Sequence, residues 1–389
     1  RLSLVGSEMC IRDSPCPTLE PLMSPRPLSG PMRVLLIDAG QTWRGTQRQL
    51  FLLSVGLREH GVEPLVVAPP RSPLLDACKL AGIATVARVM RGGLDVLAVR
   101  GLRRIIGTWH PSVVHAHDPR SHALAIAALA ARRTRIPLVV TRRLATPPTG
   151  RIRHGARVAR FIAITDAVRS ALQSGGIAAE RIILVHPGIA APVALSTRSW
   201  RAECGWPAER LVTGVVGPLT ESRHREELEQ LVARFDAETR AHIALVLLGG
   251  PSSGRTTVAG VPAYRAGFVH DVPAALAGLE LLLHPGGAEG LGTALVEGMA
   301  LHVPAVAFAA GGVGEIIAHE ASGLLVPPGD VAGFASAVAR VVGDPARRRA
   351  LGAGGPAQAA RFGAEQMVAG TLAVYRGVLQ GSASVPLHG

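Results

Sequence analysis

A chain of 389 residues with 48% apolar composition has material for two hydrophobic cores. Cys10, Cys16, Cys78 and Cys204 show no metal-ligand or disulfide spacing, which fits a reducing compartment, and no run of about 18 uninterrupted apolar residues offers a membrane-spanning helix. Net charge is +13, but aromatic residues are only 3%, so base stacking has little material and nucleic acid is not expected as a partner.

Residues 1–31 are rich in Pro, Ser and Gly without a period and read as a disordered extension lacking a signal-peptide core; Met32, just before the first good strand, is a candidate start. Residues 32–190 read as a first domain of alternating strands and helices. It opens with the apolar run Val34–Ile37, the turn Asp38-Ala-Gly40, and Trp43-Arg-Gly-Thr46 before a helix carrying Leu50, Leu53 and Leu57. Thr46 is placed to cap that helix, and Gly45 lets a ligand approach the backbone. Gly-x-Gly-x-x-Gly is absent here, which excludes a dinucleotide fingerprint. Further strands are expected at 63–68, 112–116, 138–141, 161–164 and 182–185.

His115 and His117 stand two apart at a strand's end and share a face, so the pair could hold a metal. No third ligand follows, and a cleft histidine without metal is the stronger expectation, with satisfied structural histidines as the alternative. Asp118 is either a ligand group or the cap of a helix near Ser121. Arg142 and Arg143 follow a strand and are placed to face a cleft, whereas Asp166 suits a helix cap. Charge is lopsided: residues 31–190 hold 23 basic against 8 acidic residues, +15, while 191–389 hold 15 against 17, −2. With Arg151, Arg153, Arg157 and Arg160 clustered, this is either an ordinary solvated face or a patch for an anionic membrane surface.

A linker at 191–210, rich in Ser, Ala and Pro, separates a second domain over 211–360. It begins with a strand at 211–216, the turn Gly217-Pro218-Leu219 and a helix over 223–235, followed by a strand at 243–248. Gly249-Gly-Pro-Ser-Ser-Gly254-Arg255-Thr256 nearly matches a P-loop, but no helical run follows, so it reads as a surface loop. The stretch 279–330 is strand, Gly-rich turn, helix, strand and second turn, a layout that holds anions at the carboxyl end of a parallel sheet. Glu289 lies in the first turn and Glu297 in the helix. Either Glu289 caps and Glu297 is solvated, or both touch one elongated ligand. A last helix over 361–382, with Phe362, Met367 and Tyr375, is placed to cross back to the first domain.

Glu289-Gly-Leu-Gly, Glu297-Gly-Met-Ala, Pro304, Gly311-Gly312, Glu315 and Gly323-Leu-Leu-Val-Pro-Pro-Gly-Asp330, in this order and spacing, resemble glycosyltransferase family 4, and the resemblance covers nearly the whole chain after Met32. It implies a GT-B fold: α/β, two Rossmann-like, doubly wound parallel-sheet domains facing across a cleft. It implies retaining transfer of a sugar from a nucleoside diphosphate sugar to a hydroxyl acceptor, with no metal and no tightly bound cofactor. By the same resemblance His117 and Glu289 contact the sugar, Glu297 the ribose, and Arg223 with the turn at Gly290, Leu291, Gly292 and Thr293 the diphosphate. Gly45 and Thr46 belong to the first glycine-rich loop, with Asp118 beside the sugar site. The family's phosphate-binding arginine is replaced by Pro218, and its Asn-Gly by Pro187-Gly188 preceded by His186. A nucleotide-sugar epimerase or hydrolase, and a non-catalytic nucleotide-sugar binder, are the competing readings. The acceptor leaning is a lipid-linked or cell-surface glycan such as lipopolysaccharide, and the location the cytoplasm, with peripheral contact to the inner face of its membrane.

Overall fold

The computed structural model describes residues 30–93, 95–130, 136–147, 157–190, 197–216, 222–250, 252–267, 269, 271–286 and 291–383. Runs of Val, Leu and Ile buried on both faces favour parallel strands covered on both sides by helices. Seven such strands form the first sheet: β1 (Arg33–Ile37), β2 (Glu63–Ala68), β3 (Ala84–Ala87), β4 (Val113–Ala116), β5 (Leu138–Arg142), β6 (Val158–Ala163) and β7 (Ile182–Leu184). Their order is β3-β2-β1-β4-β5-β6-β7, parallel throughout. Side chains alternate across it: Leu35, Ile37, Val67 and Val114 pack on one face, Val34, Leu36, Val66 and Val113 on the other.

The second sheet contains β8 (Leu211–Val216), β9 (Ile243–Leu248), β10 (Ser253–Val258), β11 (Val261–Gly267), β12 (Leu281–His284), β13 (Ala305–Phe308) and β14 (Gly323–Val326). The order is β10-β11-β9-β8-β12-β13-β14, with only the β10–β11 pair antiparallel. Among the parallel strands of each sheet the order reverses once, between β1 and β4 and between β8 and β12. Such a reversal is where a crevice opens at the carboxyl ends of the strands. These are the two doubly wound, parallel-sheet halves that the resemblance implies.

The chain passes between the halves at Pro187-Gly188-Ile189. Gln49 Nε2 donates to the Gly188 carbonyl at 2.7 Å and Gln49 Oε1 accepts its N–H at 2.8 Å, while Ile189 and the returning chain exchange Ile189 N–H to Phe362 O and Ala364 N–H to Ile189 O, both 2.8 Å. The helix Ala364–Ala383 then lies on the first half, where Met367, Leu372 and Tyr375 join the face built on Val34 and Leu36.

Three local expectations are corrected. The helix Gly45–Glu59 is capped by Arg44, whose N–H donates to Gln47 Oε1 at 3.2 Å; Thr46 lies inside its first turn. The glycine-rich segment after β9 is a hairpin, β10–β11, rather than a surface loop, because Arg255, Thr257 and Val258 continue a ladder with Tyr264, Pro262 and Val261. The edge strand β3 was not expected, since its four residues are all at least partly exposed and carry no core signature.

Candidate active site

On the first half, Asp38 follows β1 and His117 follows β4, both buried at the carboxyl ends of the two strands where the order reverses, and neither is among the residues that line the cavity described below. Asp38 is fully buried; its Oδ1 accepts from Gly40 N–H at 2.8 Å and from Gln47 Nε2 at 2.9 Å, which ties the turn to the first helix. Burial raises its carboxyl above the ordinary value, against the hydrogen bond from Gln47. Asp118 caps the helix Pro119–Ala130: Oδ1 accepts from Arg120 and Ser121 N–H at 2.8 and 3.0 Å, and Oδ2 from Ala39 N–H at 2.8 Å. Its carboxylate therefore organises two crevice turns, the capping alternative raised by the sequence.

The histidines divide. His115 is bonded through Nδ1 to the Tyr375 hydroxyl at 2.6 Å and through Nε2 to Thr141 Oγ1 at 2.7 Å, so it anchors the C-terminal helix; burial takes it down to about 3. His117 is 3% exposed, lies 4.0 Å ring to ring from His115, and neither ring nitrogen has a partner among the described residues. Burial, with the nearby His115 and Arg143, holds it well below its ordinary value, so it is a neutral imidazole able to donate one hydrogen bond and accept another. Arg143 stands at the same rim; loss of solvent pulls it down to about 10, against the attraction of Asp38. Among the described residues no group of three metal-ligating side chains occurs.

On the second half, β12 ends at the buried His284, and Leu291, also buried, precedes the next helix. Gly292 adopts φ 73°, a left-handed conformation that glycine reaches without cost, and starts the helix Thr293–Ala300. The helix N-terminus therefore faces the crevice with its amide groups. One turn in, Glu297 is 3% exposed, and burial raises its carboxyl above the ordinary value despite an opposing cation. That cation is Arg48 of the first half, whose Nη1 lies 2.5 Å from Glu297 Oε1. Glu289 and Gly290 lie outside the described residues, as do Pro218, Arg151 and Arg153, whereas Arg223 is the second residue of the helix Ser222–Ala233, and its side chain is outside the description.

Both halves wall one cavity of about 490 Å³. Gly45, Thr46 and Arg143 line it from one side, and Leu291, Gly292 and Thr293 from the other. A second bridge lies nearby: Glu315 Oε1 accepts from Asp166 N–H at 2.7 Å, and His186 Nδ1 is 3.8 Å from Glu315 Oε2. Thr165, rather than Asp166, caps that helix, taking Val168 N–H at 3.2 Å; Asp166 pairs with Arg169 instead.

Residues 43–191 match the model described as Glycosyltransferase Family 4, and residues 210–344 the model described as Glycosyl transferases group 1. The chain is a family 4-type glycosyltransferase with the GT-B fold. Among its relatives, the 2-deoxystreptamine N-acetyl-D-glucosaminyltransferase of Streptomyces fradiae is 29% identical over 370 residues, spanning 82% of this chain and 88% of that one. A D-inositol 3-phosphate glycosyltransferase of Kineococcus radiotolerans is 30% identical over 274 residues, 62% of this chain and 63% of the relative. Anabaena HepE, solved in complex with UDP, shares the fold with TM-score 0.73 and 21% identity, covering 88% of this chain and all of its own. The two matched regions fall one on each half, so both walls of the cavity belong to the glycosyltransferase.

Sequence reasoning missed Arg48 and the Asp38–Gln47 network of this glycosyltransferase. Arg48 stands four residues after Arg44 in a helix that also carries the exposed Arg58 and Glu59, and nothing in its neighbourhood marks it. Its partner is in the other half.

Proposed function

We propose that the chain transfers a sugar from a nucleoside diphosphate sugar to an acceptor hydroxyl with retention at the anomeric carbon. The observation that carries this is Glu297: a buried carboxylate one turn behind a helix N-terminus that opens on a cavity shared by two sheets. Such a terminus stabilises the charge that grows on a departing diphosphate, and a carboxylate about 6 Å further along the helix suits ribose hydroxyls. Glu289 would contact the sugar, Arg223 with the amides of Gly290 to Thr293 the phosphates, and neutral His117 a sugar hydroxyl. Gly45 and Thr46 would face the donor from the opposite wall. UDP is the favoured nucleotide, supported by the UDP named with HepE. The favoured acceptor is a small cyclitol, the class to which 2-deoxystreptamine and D-inositol 3-phosphate, named for the relatives, belong.

The test is turnover with UDP-, GDP- and ADP-sugars against cyclitol and lipid-linked acceptors, the product anomer being read by NMR. A glycosylated product with the donor's anomeric configuration is expected. Inversion would reject the retaining course; sugar release or isomerisation without an acceptor would favour a hydrolase or epimerase, and tight binding without product a non-catalytic binder.

A second reading, transfer to a lipid-linked or cell-surface glycan at the inner face of the cytoplasmic membrane, draws on the +15 balance of residues 31–190. It also draws on Val89, Val96 and Leu97, which are 48%, 60% and 72% exposed beside Arg88, Arg91 and Arg100. Apolar tips ringed by arginine suit an anionic lipid surface. Replacing Leu97 by Ser together with Arg91 and Arg100 by Gln is expected to cut pelleting with phosphatidylglycerol vesicles several-fold, as is high salt. Binding that ignores both changes counts against membrane docking.

A further inference from the structure

Arg48 projects from the second turn of the helix Gly45–Glu59, whose first residues line the cavity opposite the donor-side helix Thr293–Ala300. Its Nη1 holds Glu297 at 2.5 Å, and the side chain, 27% exposed, makes no other ion pair among the described residues. A guanidinium has five N–H donors in a planar fork, so an ion pair through one edge leaves the other edge able to bind.

We propose that Arg48 is a donor-binding residue lent by the first half, gripping Glu297 with one edge and the donor diphosphate with the other. This rests on the nucleotide-sugar reading above. The charge balance asks for such a group. A sugar diphosphate carries two negative charges; a helix N-terminus supplies roughly half a positive one and Arg223 one, which leaves part of the charge unbalanced. Pro218, where family resemblance expects arginine, supplies none. Arg143 and Arg44 line the cavity itself, but the charge of Arg143 is directed at Asp38 within its own half, and Arg44, the cap of the helix, has no ion pair with the donor-side helix among the described residues, so Arg48 alone of the three is tied to Glu297.

Distance permits the bridge. From Glu297 back to Thr293 the helix rises about 6 Å, so a phosphate held by the N-terminal amides lies about one turn from the carboxylate that Arg48 already touches. An arginine bridging both would join nucleotide binding to approach of the two halves, because its backbone belongs to one wall and its ligands to the other. Arg48 would also screen the negative Glu297 from the negative diphosphate, which otherwise repel across that one turn.

Calorimetric titration of the full chain with UDP and with uridine separates the phosphate contribution from that of ribose and base. Arg48→Gln is expected to lower UDP affinity about tenfold or more while uridine affinity changes less than about twofold, and Arg48→Lys to recover part of the UDP loss. Preserved uridine binding shows at the same time that the variant is folded. Equal losses for UDP and uridine would reduce Arg48 to a support for Glu297 and overturn the proposal, as would unchanged UDP affinity. The donor-site reading fails separately: if Glu297→Gln leaves uridine binding untouched, or wild type binds none of UDP, GDP and ADP, that reading falls and the role of Arg48 falls with it. Loss of the Arg48 effect alone, with the Glu297 effect intact, rejects only the present inference.

Discussion

Glu297→Gln is expected to weaken nucleoside binding about 100-fold while leaving the protein at least as stable as wild type at neutral pH. The two signs have different origins. A buried carboxylate accepting a ribose hydroxyl makes a charge-assisted hydrogen bond worth about 1.5–3 kcal/mol, and about 2.8 kcal/mol corresponds to 100-fold in affinity. Stability runs the other way because burial raises the Glu297 carboxyl in the folded state, more than Arg48 lowers it. An acid with a raised folded pKa is most stabilising below its unfolded value, and that contribution is lost as pH rises through the folded value. Glutamine does not ionise and so escapes the loss. Arg48, left without its partner, is already 27% exposed and can turn to water. Melting temperature of variant minus wild type should therefore grow as pH rises from about 4 towards neutrality, while uridine titration at pH 7 shows the affinity loss. A variant destabilised at pH 7 with normal nucleoside affinity would make Glu297 a structural acid and remove it from the donor site.

The contrast between Glu297 and Arg48 shows where the sequence is readable. Glu297 lies in a run whose glycines, turn and following helix identify their own geometry over a few dozen residues, and the strands Glu63–Ala68 and Ile243–Leu248 are legible for the same local reason: uninterrupted apolar character between turn residues. Arg48 acquires its meaning from a residue in the other half, and a single helix period cannot announce that. His115 and His117 are a middle case. Their spacing puts them on one face, but only the distant Tyr375 and Thr141 decide that the first is structural, and the second is left without a hydrogen-bond partner among the described residues. The hairpin β10–β11 was hidden by chemistry: Gly254 and the exposed Arg255 and Thr257 have the polarity of a loop, and pairing supplies the order that composition does not.

The helix Pro345–Ala359 extends this point, since it contains Gly352, Gly354, Gly355 and Pro356, residues that oppose helix formation. Its glycines are explained by what faces them. A methyl group at Gly355 would overlap the Met299 carbonyl oxygen, one at Gly352 that of His302, and one at Gly354 that of Ala321. Met299 is two residues beyond Glu297, so Gly355 sets how closely this helix supports the donor-side helix. Ala is the better helix former by about 1 kcal/mol, yet backbone atoms cannot move aside as a side-chain tip can, and overpacking costs about 1–3 kcal/mol or more. Gly355→Ala is therefore expected to be net destabilising, lowering the melting temperature by several degrees, and to weaken UDP binding by shifting Glu297 and the helix N-terminus. Gly377→Ala is the control of opposite sign: Gly377 is exposed within the helix Ala364–Ala383 and a methyl group there meets nothing within 4 Å, so the same exchange should stabilise by up to about 1 kcal/mol. Thermal unfolding and UDP titration of both variants decide the matter. If Gly355→Ala raises the melting temperature as Gly377→Ala does and binds UDP normally, helix propensity outweighs contact at that position, and the donor-side helix does not depend on the close approach that its glycine permits.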